Sequence, residues 1–405
     1  MKHWQSLALV PLAFATALVV APLRPAAQAQ SPQAAPPYIP QARFCANGSN
    51  GLCAIVPAYI GPDPGLAETQ GYNGLYGQPP QSEKADVQSP FDNMAWQMFV
   101  ALNWAASGVK EPPAQGLTQP GRRVWQTYPT VSSLFGNAPV IVGCPQALAL
   151  PIFHIGSNGK GQPMPNNEEY LQAATNKPLI DVNGNWTLFE RRVNEIEAQY
   201  LRAPGGQKSQ TLTTRAGQQE FINKNPGGAD FTSSATVPDG TNGSIEIKAS
   251  WRILDPSKDD PSKFFTQNIL LAVSGDSATA QPQAVRCWRI YPTTSTLNEQ
   301  WRMALGSLKS VFGNYMLVGT QWGGNVEPPT PPNPIPSNAV PGMLSNMTLE
   351  TYIQNYLSNG PAGPGSCVSC HNFATLVDGK TSANFSFLPG IVEPASLRAK
   401  IKTAP

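Results

Sequence analysis

Histidine is almost missing from this chain: His3, His154 and His371 are all that its 405 residues contain. So few imidazoles make a Ser-His-Asp catalytic set unpersuasive. Charge is scarce as well. Charged residues are 13% of the chain, and 27 Lys and Arg against 25 Asp and Glu leave a net charge of +2. Nothing in that balance is the electrostatic footprint of a nucleic-acid partner, and no basic run marks a membrane surface. Beyond the first thirty residues there is no apolar run that could span a bilayer. A phosphate-cradling glycine loop, an internal repeat and a regular βαβ alternation are also missing. What the chain has in excess is proline, 42 residues, with 35 glycines. So many turn-formers favour strands and long irregular connections over a helical bundle.

The N-terminus reads as a secretory leader over residues 1–29. Lys2 and His3 give a polar start, an apolar stretch runs from Leu7 to Leu23, and Ala27-Gln28-Ala29 supplies small residues for cleavage. The competing reading is an uncleaved anchor. The stretch is shorter than the ~20 residues a span needs, and Pro11 and Pro22 interrupt it. The expectation is therefore an exported protein, periplasmic where the host has a periplasm, with no membrane span once the leader is removed. Export permits disulfides among the six cysteines, Cys45, Cys53, Cys144, Cys287, Cys367 and Cys370. If the last two hold a cofactor, four remain and allow three connectivities. Cys45 with Cys53, across a short flexible loop, and Cys144 with Cys287 is the favoured scheme.

Residues 30–89 form an irregular leader to the body. Ser89-Pro90 starts a helix, with Pro in its first turn, that places Phe91, Met94, Ala95, Met98 and Leu102 on one core-facing side. The body, residues 90–324, reads as β with short helices. Strict alternation over Ile245–Arg252 predicts a half-buried strand, and Thr187–Val193, Phe264–Val273, Val285–Tyr291 and Tyr315–Trp322 are further strand expectations. Short helices are expected at Asn194–Arg202, Arg215–Asn223 and Leu297–Ser310. The Glu190, Arg191, Arg192 and Glu195 cluster reads as a solvated ion-pair face. Asp181-Val182-Asn183-Gly184-Asn185 has oxygen ligands at calcium-loop spacing but no downstream Glu at the required place, which makes it a turn. The Pro-rich stretch 325–342 is an extended linker to a final segment, 343–405, which opens with a helix from Thr348 to about Leu357. The fold class expected is α+β: a β-rich antiparallel core with short helices and a C-terminal helical and loop segment.

That last segment carries the chemistry. Cys367-Val368-Ser369-Cys370-His371 is the attachment signature of c-type haem. Two thiols add to the two vinyl groups of one haem, and two intervening residues let both sulfurs reach one edge of the macrocycle. His371 follows at once and serves as the proximal iron ligand. A thioredoxin-type redox pair would sit near a βαβ pattern, which is missing, and a zinc knuckle would need a second ligand pair nearby. One covalent haem c is therefore the expected cofactor. The sixth iron position stays open between several readings. No Met follows His371, so a distal ligand must come from upstream: Met343 or Met347 just before the motif, His154, or else a vacant or water-type site. Met316, in an expected strand, is a further upstream methionine.

Several segments resemble a group of bacterial cytochrome c family proteins. They are Trp96–Trp104 (WQMFVALNW), Ile245–Arg252 (IEIKASWR), Asn314–Trp322 (NYMLVGTQW), and Leu349–Tyr352 leading to Ser366–His371. The resemblance runs from about residue 90 to 375 and implies haem c and export. Relatives tend to carry a Gly-Leu-His-Ile segment in the region around Cys287, which this chain lacks. If that His serves the iron there, another residue serves it here. The leading functional expectation is a monohaem cytochrome that passes single electrons to or from a redox partner protein. The alternatives are a haem enzyme with an open iron site, peroxidase- or oxygenase-like, and a ligand-binding or sensor module.

Overall fold

A computed structural model describes residues 6–12 (backbone), 54, 56, 88–135, 162–163, 179–182, 187–231, 244–255, 257–270, 281–282, 290–321, 341, 344–350, 367–372 and 374–392. The expectations for the disulfides, residues 285–289, most of 325–342, the span 351–366, Met343 and His154 lie outside these residues. The described elements, in chain order, are β1 (Ser6–Leu12), α1 (Gln88–Leu102), α2 (Pro113–Gly116), α3 (Val131–Phe135), β2 (Gln162–Pro163), β3 (Leu179–Ile180) and β4 (Leu188–Val193). They continue with α4 (Glu195–Arg202), α5 (Arg215–Lys224), β5 (Glu246–Ile253), β6 (Gln267–Leu270), β7 (Gln281–Pro282), α6 (Pro292–Ser307) and α7 (Cys367–His371). The molecule is α+β. Its main ladder is the antiparallel pair β4 and β5, in register from Leu188 opposite Trp251 to Val193 opposite Glu246. β1, inside the stretch read as a leader, pairs antiparallel with β5 and with β6. Two short parallel pairs, β2 with β6 and β3 with β7, make the strand set mixed rather than purely antiparallel.

Helix α1 is buried on every side from Phe91 to Leu102, not on one stripe alone. A helix enclosed all round must satisfy its own polar groups. Asp92 does so by accepting from Gln88 Nε2 (2.8 Å), Thr320 N (2.9 Å) and Thr294 Oγ1. Burial nevertheless pushes its carboxyl above the usual range, against the lowering effect of those hydrogen bonds. Asn103 closes the helix by folding its Nδ2 back to Phe99 O at 2.8 Å. α1 packs on α6 through a reciprocal exchange. The Trp96 and Trp301 rings stack at 5.8 Å. Trp96 Nε1 donates to Asn298 on α6, and Trp301 Nε1 donates to Asn93 on α1, both at 3.0 Å.

α6 begins at Pro292, five residues before its expected start, because Pro at the first position preorganises the turn. It ends in a Schellman motif: Ser310 N reaches Leu305 O (3.1 Å), with Lys309 in the left-handed region at φ 57°. The expected strand Tyr315–Trp322 is corrected: over 315–321 the chain belongs to no ladder. Side chains do the work of a neighbouring strand. Asn298 accepts from Leu317 N and donates to Leu317 O, each at 2.9 Å, and Gln88 Nε2 donates to Thr320 O at 2.9 Å.

The charge cluster is also corrected. Glu190 and Arg192 are buried, with 4% and 6% of their side chains exposed, and form an ion pair at 2.6 Å. The neighbouring strand supplies the reason: Trp251 Nε1 donates to Glu190 Oε2 at 3.0 Å, while Arg192 also donates to Tyr128 O at 2.6 Å. Only Glu195, paired with Arg202 at 3.2 Å, keeps the solvated character expected of the group. In the expected turn at 181–185, Asp181 is buried and Val182 exposed, and the remaining three positions lie outside the described residues.

Two apolar clusters result. One unites α1, α6, β5 and the turn at Val124–Trp125. The other joins Val193, Ala198, Leu201, Leu212 and Phe221 of the body to Ala374, Leu376, Ala383, Leu388 and Val392 beyond the Cys-x-x-Cys-His motif. Among the described residues no helix is long and apolar enough to cross a membrane.

Candidate functional site

The Cys-x-x-Cys-His motif coincides with α7, a five-residue helix, so positions 367 and 370 fall one turn apart. A helix this short depends on outside partners for the N–H groups of its first turn. Two segments supply them. Cys367 N donates to Leu344 O at 2.8 Å, and Val368 N donates to Gln321 Oε1 at 2.9 Å. Gln321 is wholly buried and its Nε2 donates to Pro341 O at 2.7 Å. The start of the motif is thereby fixed to Leu344 and, through Gln321, to Pro341.

His371 ends α7 and is half-buried. Its Nδ1 lies 2.7 Å from Phe385 O. A carbonyl oxygen only accepts, so Nδ1 carries the proton and donates. The tautomer follows from that: Nε2 is the nitrogen with a lone pair for a ligand. The carbonyl reaches the imidazole because Asn384 and Phe385 both adopt left-handed backbone, at φ 50° and 67°. For a bulky residue such as Phe385 this conformation is strained and is held only where surroundings impose it. Phe387 completes the setting, its ring meeting the imidazole edge-on at 5.2 Å while 40% of the residue stays exposed.

The turn carrying Phe385 follows a small hairpin. Thr375 bridges Ser382, Leu376 N donates to Thr381 O, and Ala383 N donates to Ala374 O, each bond at 2.9 Å. Asp378 closes its tip by accepting from Lys380 N and Thr381 N.

Of the residues singled out from sequence, Cys367, Cys370 and His371 share α7, and Cys367 is half-buried. Met347 is half-buried in a turn whose neighbour Leu344 holds the start of α7. Met316 is 42% exposed on the segment leading to Gln321. Met343 and His154 lie outside the described residues. The residues that sequence reasoning passed over are Gln321, Asn384, Phe385 and Phe387. Asn at a left-handed position is the one signal that could have marked this turn; a Phe there carries none.

Among the described residues no group of three His, Cys, Asp or Glu could together hold a metal ion. The donor set has a different chemistry. In a haem attachment motif the sulfurs bond to carbon at the rim of the macrocycle, and one imidazole alone meets the iron. A motif helix that ends in a half-buried His whose Nδ1–H is bonded to a backbone carbonyl suits that requirement. Comparisons with models of known families, with curated proteins and with solved structures find no match to this chain.

Proposed function

We propose that this chain is an exported monohaem c-type cytochrome that exchanges single electrons with a redox partner protein in the periplasm. The observation that carries the reading is the bond from His371 Nδ1–H to Phe385 O at the end of the Cys-x-x-Cys-His helix. Ligating histidines ordinarily donate their second ring N–H in this way, which fixes the tautomer and raises the basicity of the ligating nitrogen. Cys367 and Cys370 would hold haem through thioethers and His371 through Nε2. When bound, haem supplies a one-electron couple that the protein tunes through axial ligand, hydrogen bonding and burial. The chain's own part is to orient the imidazole, keep its tautomer and dock the attachment helix against Gln321 and Leu344.

Met347, Met343 or His154 would supply a sixth ligand if that position is filled; of these, Met347 lies among the described residues, half-buried in the turn that follows Leu344. Haem staining of a denaturing gel tests attachment, with the chain matured in a periplasm that attaches haem c. The parent chain retains stain and the double variant Cys367→Ala, Cys370→Ala loses it; stain in the double variant refutes the attachment. Carbon monoxide added to the reduced protein tests the function. Unchanged low-spin bands support a carrier with both axial positions filled. High-spin bands that shift with carbon monoxide overturn the carrier reading in favour of an open iron site suited to small-molecule chemistry.

A further inference from the structure

The turn that bears Phe385 is held by the body at three points. Gln218, on α5, is completely buried. Its Oε1 accepts from Val377 N at 2.9 Å, and its Nε2 donates to Pro389 O at 2.6 Å and to Leu212 O at 2.7 Å. One amide thus bonds the chain on both sides of the segment 378–388, within which Phe385 offers its carbonyl to His371. The third hold is at the middle of that segment. Ala229 N donates to Ser382 O at 2.9 Å, and Gly228, at φ +86°, lets the two backbones approach closely. A Cβ at Gly228 would meet Ser382 O at 2.5 Å.

Local bonds shape the turn itself: Ser386 N donates to Ala383 O at 3.0 Å and Asn384 N donates to Ser382 Oγ at 3.1 Å. What they do not set is where the turn and its hairpin sit on the body, and that is what the bonds to Gln218 and Ala229 fix. A fully buried glutamine using both ends of its amide across a separation of 171 residues is a specific constraint on where that carbonyl sits. We infer that Gln218, with Gly228, is a positioning residue for the imidazole ligand: it holds Phe385 O against His371 Nδ1–H and thereby sets the basicity of the ligating nitrogen. This rests on the haem reading above. It also gives the large body a role that a bare electron carrier would lack, as the scaffold that fixes the reduction potential.

The bond to Nδ1–H gives the imidazole partial imidazolate character, which favours the oxidised iron. Loosening the clamp should therefore raise the midpoint potential. The experiment measures that potential by redox titration of the haem-loaded protein in three variants. Gln218→Leu removes the three amide bonds at similar volume, Gly228→Ala pushes Ser382 away, and Leu305→Ala opens a cavity in the other apolar cluster. Hydrogen exchange over residues 375–386 is followed in parallel on the haem-free chain. The expected result is covalent haem in all variants, an upward shift of the potential in Gln218→Leu and Gly228→Ala, and faster exchange of the hairpin in both. Leu305→Ala lowers the melting temperature without moving the potential. If either clamp variant folds and stains for haem with the parental potential, the positioning role is overturned. If Leu305→Ala shifts the potential as much, the effect is general destabilisation and the role is likewise overturned. Absence of haem stain from the parent chain refutes the haem reading itself, a different failure from an unmoved potential.

Discussion

Single residues in this protein derive their properties from neighbours that are remote in sequence. Glu197 occupies the third position of α4, where its backbone N–H is capped by Asn194 Oδ1 at 3.0 Å and its charged form would ordinarily favour the helix terminus. Burial and the adjacent Glu246 carboxyl instead push its pKa well above the usual value of 4.5. The folded chain then holds a proton that the unfolded chain releases above about 4.5, so stability falls as pH rises from there through the raised folded value. Glu197→Gln keeps the backbone cap and removes the titration. Its stability in urea melts should exceed the parent's at alkaline pH and converge with it in acid; parallel pH profiles would refute this. Burial raises the pKa of Glu190 as well, but here the Arg192 guanidinium stands beside the carboxyl and opposes the shift. Removing one partner, as in Arg192→Ala, strands a buried carboxylate and should cost about 3–5 kcal/mol in a denaturant melt. Their burial was not legible from sequence, because the group that makes it tolerable, the Trp251 indole, arrives from the adjacent strand. Cys367, Cys370 and His371 stand out in the sequence by their spacing, and one short helix carries all three. On the haem reading with Met347 as sixth ligand, Met347→Ala should turn the reduced protein high-spin and sensitive to carbon monoxide; an unchanged spectrum eliminates Met347.

At the scale of elements, periodicity served well where an element packs by its own pattern. Strands β4 and β5 and helices α4 and α5 fall close to their expected spans, with Asn194 and Thr214 as the caps of the two helices. It failed over 315–321, where the run of apolar residues has the composition of a strand but no partner strand in the ladder. The backbone there is satisfied by Asn298, Asp92 and Gln88, three polar side chains whose purpose cannot be seen until α1 and α6 are side by side. Asn298 is the strongest test. It bonds Leu317 at both N and O and also accepts from Trp96. Asn298→Ala leaves buried groups on two elements without those partners and should lower stability by about 2–3 kcal/mol. It should also speed amide exchange at Leu317 in preference to the β4–β5 ladder. Uniform acceleration across both would argue that the segment does not depend on this residue.

For the whole molecule, composition and turn content pointed correctly to a mixed α+β fold. Where the C-terminal segment docks was not legible, since its apolar residues are few and scattered. Ala374, Leu376, Ala383 and Leu388 nevertheless share a core with α4 and α5. A fragment of residues 343–405 made alone should therefore give a disordered spectrum by circular dichroism; a cooperative melt would show that it folds unaided. Strand β1 lies between β5 and β6. If residues 1–29 were removed as a leader, that strand would be lost and the β4–β5 ladder would remain as the main pairing. The intact mass of the protein recovered from the periplasm tests this.

The hold of Gln218 on Pro389 also has a consequence in time. Closing it joins residues 171 apart, a long loop whose closure costs chain entropy before the contact returns any stability. In the folded chain the start of the Cys-x-x-Cys-His segment is held by Gln321 and Leu344 and its end by the turn at Phe385. On the haem reading, maturation is a race between attachment and final docking. A variant that docked faster would accumulate as folded, stable and colourless protein.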